Sequence, residues 1–185
     1  GQIVDAVIAR GREGSSHTLF PLMYQWHGTR YWGAAHGLAG IMHVLLHFKL
    51  NKEDAADVKG TLRYMIKNHC FPSGNYPSSE GNSRDKLVQW CHGAPGVAMT
   101  LCKAAQVFPS DPDFHQAVVE ADKLYLHRAK AFAGFLYGNG RSLISSGQMH
   151  GGDHPYSLFE GLGGTAYLWF DMANPDDARF PGFEL

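Results

Sequence analysis

Three short turns carry the residues of this chain that are best suited to chemistry. Each turn places a His or Glu before the pattern Gly-x-x-Gly, and the leading residues are His36, His92 and Glu160. Cys91 comes directly before His92, and thiolate and imidazole are common ligands of zinc in proteins. An imidazole also moves protons readily near neutral pH. The turns therefore predict a site for metal or acid–base chemistry, provided that the fold brings them together.

A purely structural interpretation of these turns is open as well. Glycine permits positive φ and close helix contact, so the three motifs can exist for helix packing alone. Each His or Glu would then be a polar group at a helix start. A single Cys-His pair also supplies fewer ligands than zinc needs. The occurrence of His, Cys-His and Glu at three equivalent places favours a site.

The elements that must position these residues are helices. Apolar residues recur every three or four positions after each turn, which predicts that each turn opens a helix. Further helices are predicted over 53–67 and 113–136, whereas 71–83 and 138–155 are expected to be loops. No segment alternates like a strand, so the chain is predicted to be all-α and built from repeated helical hairpins. The apolar residues after the turns include Ile41, Val44, Leu45, Phe48, Val97, Met99, Leu101, Ala166, Leu168, Trp169 and Met172.

The three turns are unevenly spaced. His92 follows His36 by 56 residues, and Glu160 follows His92 by 68 residues. A helical hairpin repeat of about 40 to 50 residues would make the second interval too long for one unit and too short for two. This spacing predicts an irregularity between the second and third turns.

The composition narrows the classes of partner. With 16 basic and 17 acidic residues and no basic run, the chain lacks the electrostatic pattern of a nucleic-acid-binding protein. No apolar run reaches the roughly 18 residues of a membrane-spanning helix. The three cysteines, Cys70, Cys91 and Cys102, follow no secretory leader, so we expect reduced thiols and a cytoplasmic location.

The motifs resemble those of the lanthionine synthetase C-like (LanC-like) proteins. The matching stretches are 33–40 (GAAHGLAG), 75–77 (NYP) with Arg84-Asp85, 90–96 (WCHGAPG) and 157–161 (SLFEG), and 150–153 (HGGD) resembles a plant member. The resemblance covers nearly the whole chain, and it corresponds to about the C-terminal half of a full-length family protein.

This resemblance implies a partial (α/α) toroid of helical hairpins. An inner and an outer ring of helices alternate, and the Gly-rich turns lie at the N-termini of the inner helices. It also implies that residues 1–185 are a single LanC-like domain that is incomplete, with an internal deletion near 121–123. The deletion would remove the hairpin that carries a second Cys-His-Gly motif.

The resemblance further implies a zinc cofactor whose site is incomplete in this chain. Cys91 matches the family's first zinc ligand, but no later Cys-His-Gly motif supplies the other two, and Cys102 lies within a predicted helix. We therefore expect zinc binding, and the catalysis that depends on it, to be impaired. His92, together with His36 or His150, is the alternative source of ligands.

The activity implied by the resemblance is addition of a thiol, in eukaryotic relatives glutathione, to a dehydroamino acid in a peptide or protein. His36 matches the family's acid/base histidine. Arg84 and Glu160 are candidate substrate-binding residues, since a guanidinium pairs with a carboxylate or phosphate and a carboxylate can bind an amine. Arg84 precedes Cys91 by two helical turns, a spacing at which it is expected to face the cavity. Their structural alternatives are a surface ion pair of Arg84 with Asp85 or Glu80, and stabilisation of a helix N-terminus by Glu160.

A second function remains open beside the enzymatic one. The chain can be a non-catalytic binding or interaction module, derived from the LanC-like toroid, that holds glutathione or a protein partner. Neither function involves nucleic acid or a transmembrane segment, and a membrane-peripheral association of the full-length protein is compatible with both.

Overall fold

A computed structural model describes residues 1–86, 88–149, 154, 156–158 and 161–177, without the side chains of 122–126, 128 and 176. The chain divides into two compact units, Gly1–Asp122 and Lys123–Leu185. All-α architecture is confirmed for the described residues, because they form helices and only two isolated bridges, Trp26 with Thr29 and Tyr31 with Ser79. The helices are α1 (Gln2–Gly14), α2 (Leu38–Leu45), α3 (Lys52–Asn68), α4 (Ala94–Val107), α5 (Pro112–Phe135), α6 (Arg141–Ser145) and α7 (Leu162–Ala173).

Each Gly-turn opens a helix, as its sequence predicts. The three turns lead into α2, α4 and α7, and the segments predicted over 53–67 and 113–136 form α3 and α5. The prediction of a loop over 138–155 is partly wrong. A π-helical turn (Leu136–Gly140) extends into this range, and α6 lies within it. Gly140 adopts helical dihedral angles (φ −54°, ψ −48°), so the glycines here continue the helix rather than ending it.

The core of the first unit is built from the apolar faces of α1 to α4 and the start of α5. Its side chains follow the helical spacing that the sequence predicts, and burying each large one contributes about 1.5–3 kcal/mol. Asn51 caps α3, since its side-chain oxygen accepts a hydrogen bond of 2.9 Å from the backbone N–H of Asp54. The largest fully buried side chains are Ile8, Leu22, Met23, Trp32, Leu38, Met42, Leu45, Val58, Leu62, Met65, Leu101 and Phe114.

The first two Gly-turn helices pack directly on each other. A Cβ on Gly96 would lie 2.5 Å from the Cβ of Ala34, so α4 approaches the first turn as closely as glycine permits. The Thr100 hydroxyl donates a buried hydrogen bond of 3.1 Å to the carbonyl of Ala39. These contacts fix the two turns side by side.

Candidate functional site

His36 lies among aromatic rings at the first turn. Its exposed side chain contacts Tyr31 edge to face, with ring centroids 4.6 Å apart, and its ring lies 4.8 Å from that of Trp26. The ring of His92, from the second turn, lies 5.0 Å away at an interplanar angle of 70°. The structure therefore brings the imidazoles of two turns together, as the repeated motif predicts.

Backbone hydrogen bonds hold Tyr31 in place, and the Tyr31 ring in turn contacts the imidazole of His36. The carbonyl of Tyr31 accepts a bond of 2.9 Å from the N–H of Leu38 at the start of α2. On either side, the N–H of Trp32 donates to Ser78 (3.0 Å) and that of Glu80 donates to Arg30 (2.9 Å). A Cβ on Gly37 would lie 2.7 Å from the carbonyl oxygen of Tyr31, so this approach requires glycine.

A buried side chain holds the second turn in place. Asn75 is fully buried, and its Oδ1 accepts a hydrogen bond of 2.8 Å from the N–H of Ala94, the first residue of α4. Its Nδ2 donates to Asp85 at 2.9 Å. Gly93, which precedes α4, has φ 115°, a conformation that residues other than glycine rarely adopt.

The geometry of the second turn determines where Cys91 and His92 lie. The Cys91 side chain is half-buried, and its thiol donates a hydrogen bond of 3.5 Å to the Gln89 side-chain oxygen. The Cys91 carbonyl faces the first turn, where a Cβ on Gly33 would overlap it. The thiol, the two imidazoles and both turns thus lie in one region of the first unit.

His92 has the more constrained imidazole of the two. Its Nδ1 atom is buried and has no hydrogen-bond partner among the described residues. Burial, with a smaller contribution from the nearby charge of protonated His36, lowers the pKa of His92 below its usual value of 6.5. The lowered pKa favours the neutral form of the His92 imidazole, whose buried Nδ1 atom is unpaired among the described residues.

Arg84 does not lie on the helix that its predicted orientation assumed. The described residues from 82 to 91 are irregular, so a spacing of two helical turns between Arg84 and Cys91 has no structural basis. Its side chain is exposed, while Glu80 pairs with Arg30 at 3.0 Å and Asp85 accepts from Asn75. No ion pair of Arg84 occurs within the described ranges. Glu160 and His150 lie outside the described residues.

The described residues do not fit a zinc ion. Within the part of the chain that the structure describes, no group of three or more His, Cys, Asp or Glu side chains could hold a metal. Cys91, His92 and His36 are neighbours without forming such a group. A zinc site in which His92 and His36 replace the missing ligands is therefore not seen among the described residues. The alternative that uses His150 falls outside them.

Two aromatic residues at the site were missed by the sequence analysis. Trp26 and Tyr31 contact His36, and Tyr31 also lies 6.0 Å from His92. The available signal was the concentration of aromatic residues just before the first turn, at 24–32. No helix among the described residues is both long and apolar enough to cross a membrane.

The first two Gly-turns lie side by side at the starts of α2 and α4, with the imidazoles of His36 and His92 together, as in a protein built of helical hairpins. The model of the lanthionine synthetase C-like protein family matches residues 1–128 and 118–185. The chain belongs to this family. The all-α class is confirmed by the described helices, and this membership is consistent with a partial toroid of helical hairpins.

Two curated relatives make the family assignment more specific. LanC-like protein GCL1 of Arabidopsis thaliana is 47% identical over 218 residues, which cover 99% of this chain and 50% of that protein. Glutathione S-transferase LANCL1 of Danio rerio is 33% identical over 228 residues, covering 100% of this chain and 54% of that protein. The chain spans about half the length of the curated relatives it matches.

Proposed function

We propose that this chain is a LanC-like protein of the class that adds a thiol, such as glutathione, to dehydroamino acids, and that zinc-dependent addition is impaired in it. The observation that carries the proposal is the meeting of His36 and His92, 5.0 Å apart, beside the turn that bears Cys91. The name of the Danio rerio relative, a glutathione S-transferase, supports glutathione as the thiol.

The reaction forms a bond between the thiol sulfur and the β-carbon of the dehydroamino acid. The electron pair of the broken carbon–carbon double bond moves to the α-carbon, which then takes a proton. The proton lost by the thiol balances the proton gained at the α-carbon. His36, which is exposed at the turn and held by Tyr31, suits the delivery of that proton. Zinc, where a family member binds it, favours the thiolate form of the thiol.

Impairment is supported by the sequence itself. The chain has three cysteines, and no Cys-His-Gly motif follows the one at 91–93. Of the described residues, none form a three-ligand group with Cys91. Thiol activation without that group rests on the intrinsic acidity of the thiol, whose unperturbed pKa of about 8.5 leaves only a few per cent thiolate at pH 7.

The internal deletion belongs to the same proposal. The family model matches in two segments that overlap at 118–128, and the alignments to the relatives run over 218 and 228 residues although the chain has 185. The boundary between the compact units, at Asp122 and Lys123, falls at the same place. Sequencing of the parent transcript tests this. A longer message that encodes a Cys-His-Gly hairpin between Ala121 and Lys123 is the expected result, and a genome that encodes no such hairpin would contradict it.

Metal content and turnover together test the impairment. The purified chain, after incubation with zinc and removal of the excess, is expected to retain much less than one zinc per molecule by elemental analysis. It is also expected to add glutathione to a dehydroalanine peptide little faster than buffer does. About one zinc per chain that Cys91→Ala removes, and the matched variant Cys102→Ala retains, would overturn this proposal.

A non-catalytic glutathione-binding module is the second candidate. The exposed guanidinium of Arg84, which has no ion pair among the described residues, favours it, because a free guanidinium can bind a glutathione carboxylate. Calorimetric binding of glutathione that Arg84→Ala weakens and Arg10→Ala does not, without turnover, is its expected signature. A cytoplasmic location, where glutathione is abundant, fits either candidate, as does a membrane-peripheral association of a longer form.

A further inference from the structure

Trp26 presents a large aromatic ring at the surface beside the candidate site. It is 50% exposed, whereas Trp32 is fully buried in the core. A single exposed apolar side chain is common on a protein surface. The backbone and ring contacts that hold the indole next to His36 are therefore more informative than the exposure itself.

A two-residue turn holds Trp26 in place. The N–H of Trp26 donates a hydrogen bond of 2.9 Å to the carbonyl of Thr29, and the N–H of Thr29 donates one of 3.0 Å to the carbonyl of Trp26. Between them, His27 has φ 48° and Gly28 has φ 77°, the positive angles that a hairpin turn of type I′ requires. His27 is the only residue other than glycine with a positive φ in the described part of the chain. Such backbone conformations are concentrated at ligand-binding sites, which favours a binding role for the side chain that the turn presents.

Three rings contact the indole of Trp26 and leave half of the residue accessible. The ring of His36 lies 4.8 Å away at an interplanar angle of 39°, and that of His27 lies 4.5 Å away at 69°. The ring of Tyr31 lies 6.0 Å away at 55°. All three distances are those of interacting aromatic pairs. The indole is thus fixed against the imidazole that delivers the proton in the proposed function.

The proposed acceptor has a shape that suits such a ring. In a dehydroamino acid the α- and β-carbons share a double bond that is conjugated with the neighbouring amide, so the group is planar. In a saturated amino acid the α-carbon is tetrahedral and offers no flat face. Planar conjugated groups pack on tryptophan in offset-stacked arrangements. A dehydroamino acid packed on the accessible part of Trp26 lies next to His36, because the indole and the imidazole are in contact.

We propose that Trp26 binds the acceptor of the thiol, with the planar dehydroamino acid packed on its indole ring. This inference rests on the proposed function, since it names the residue that selects the acceptor at the same site. Tyr31 is a less suitable surface, because it is partly buried and its backbone carbonyl holds the start of α2. The indole gives the site a preference for an unsaturated residue over its saturated counterpart, which the imidazoles alone do not supply.

Two matched peptides test this proposal. Fluorescence anisotropy, without added thiol, compares labelled peptides that are identical except for dehydroalanine or alanine at one position. The wild type is expected to bind the dehydroalanine peptide about fivefold more tightly, which corresponds to one aromatic stacking contact. Trp26→Leu, which keeps apolar volume without a flat ring, is expected to lose this preference, whereas Trp26→Phe is expected to retain most of it. Leu19→Ala is the control, because Leu19 is 89% exposed in the same unit and is not among the residues of the site.

The outcomes distinguish this inference from the proposed function. A wild type that binds neither peptide would contradict both of them. A wild type that binds the two peptides equally well would overturn the role of Trp26 alone. The same conclusion would follow if a Trp26→Leu chain with the thermal unfolding of the wild type kept the full preference for dehydroalanine.

A measurement on the wild-type sequence covers the case in which Trp26→Leu does not fold. In a chain labelled with 5-fluorotryptophan, the fluorine resonance of Trp26 is assigned by its loss in Trp26→Phe. It is expected to shift more on addition of the dehydroalanine peptide than on addition of the alanine peptide. The resonance of the buried Trp32 is the internal reference and is expected not to move. A Trp26 resonance that stays in place while the dehydroalanine peptide is bound would overturn the proposal.

Discussion

The first and second Gly-turns share one motif but are held in different ways. The first is fixed by backbone hydrogen bonds around Tyr31, and the Gly37 that precedes α2 has an extended conformation at φ −125°. The second depends on one buried side chain, that of Asn75, and on Gly93 at φ 115°. Turns with the same motif can therefore differ in how strongly a single substitution destabilises them. The turn that bears Cys91 and His92 is the one that single substitutions should disturb.

Removing the Asn75 side chain is expected to have the largest effect. Asn75→Ala leaves the N–H of Ala94 without its buried acceptor and removes the hydrogen bond that Asn75 donates to Asp85. An unsatisfied buried group costs about 1–3 kcal/mol and a lost bond to a charged group a comparable amount, so we expect a loss of about 3 kcal/mol in the free energy of unfolding. Urea unfolding followed by circular dichroism measures it.

The matched control is Asn68→Ala, which removes an exposed side-chain bond to the Tyr64 carbonyl on α3. We expect it to change the free energy of unfolding by less than about 0.5 kcal/mol, as is usual at the surface. Equal effects of the two substitutions would mean that the second turn does not depend on Asn75.

Backbone strain at the second turn should produce the next largest effect. Gly93→Ala forces a side chain into a conformation with φ 115° and ψ −169°, which is essentially restricted to glycine and costs about 1–3 kcal/mol. Gly81→Ala is a control with φ 75° and open space around the added Cβ, so its cost is expected near 1 kcal/mol. A Gly93→Ala protein as stable as the wild type would contradict the strained geometry.

Some features of the two turns could be predicted from the sequence and others could not. The residues at which α2 and α4 begin could be predicted, because the spacing of apolar residues along a helix is a local property of the sequence. The meeting of His36 and His92 followed from equivalent positions in a repeated motif. The contacts of Trp26 and Tyr31 with His36 were missed although these aromatic residues stand just before the first turn. The position of Tyr31 also depends on the pairing of its neighbours Arg30 and Trp32 with Glu80 and Ser78, which are distant in sequence.

Local signals were misjudged in two other places. The orientation expected for Arg84 assumed a helix, but Gly81 at φ 75° and the Asn82 side chain, which accepts from the N–H of Arg84, hold this segment as a loop. At Gly138 and Gly140 the opposite occurred, because glycines that suggested a loop continue from α5 with helical geometry. Glycine permits either conformation, so the neighbouring elements decide.

Protonation of the second-turn imidazole should produce the smallest effect. Burial lowers the pKa of His92, so the folded protein binds a proton less readily than the unfolded chain. The stabilising contribution is complete above the unfolded pKa of 6.5 and is lost as the pH falls through the lower, folded pKa. The wild type is therefore expected to lose more stability between pH 7 and pH 5 than His92→Gln does.

The first-turn imidazole supplies the control for this measurement. The positive charge of His36 is the second cause of the lowered pKa, after burial, so His36→Gln should reduce the pH dependence only in part. Thermal midpoints of the wild type and both variants, measured at matched ionic strength from pH 7 to pH 5, provide the comparison. If His36→Gln removed as much of the dependence as His92→Gln, repulsion between the turns, rather than burial of the second one, would dominate the titration.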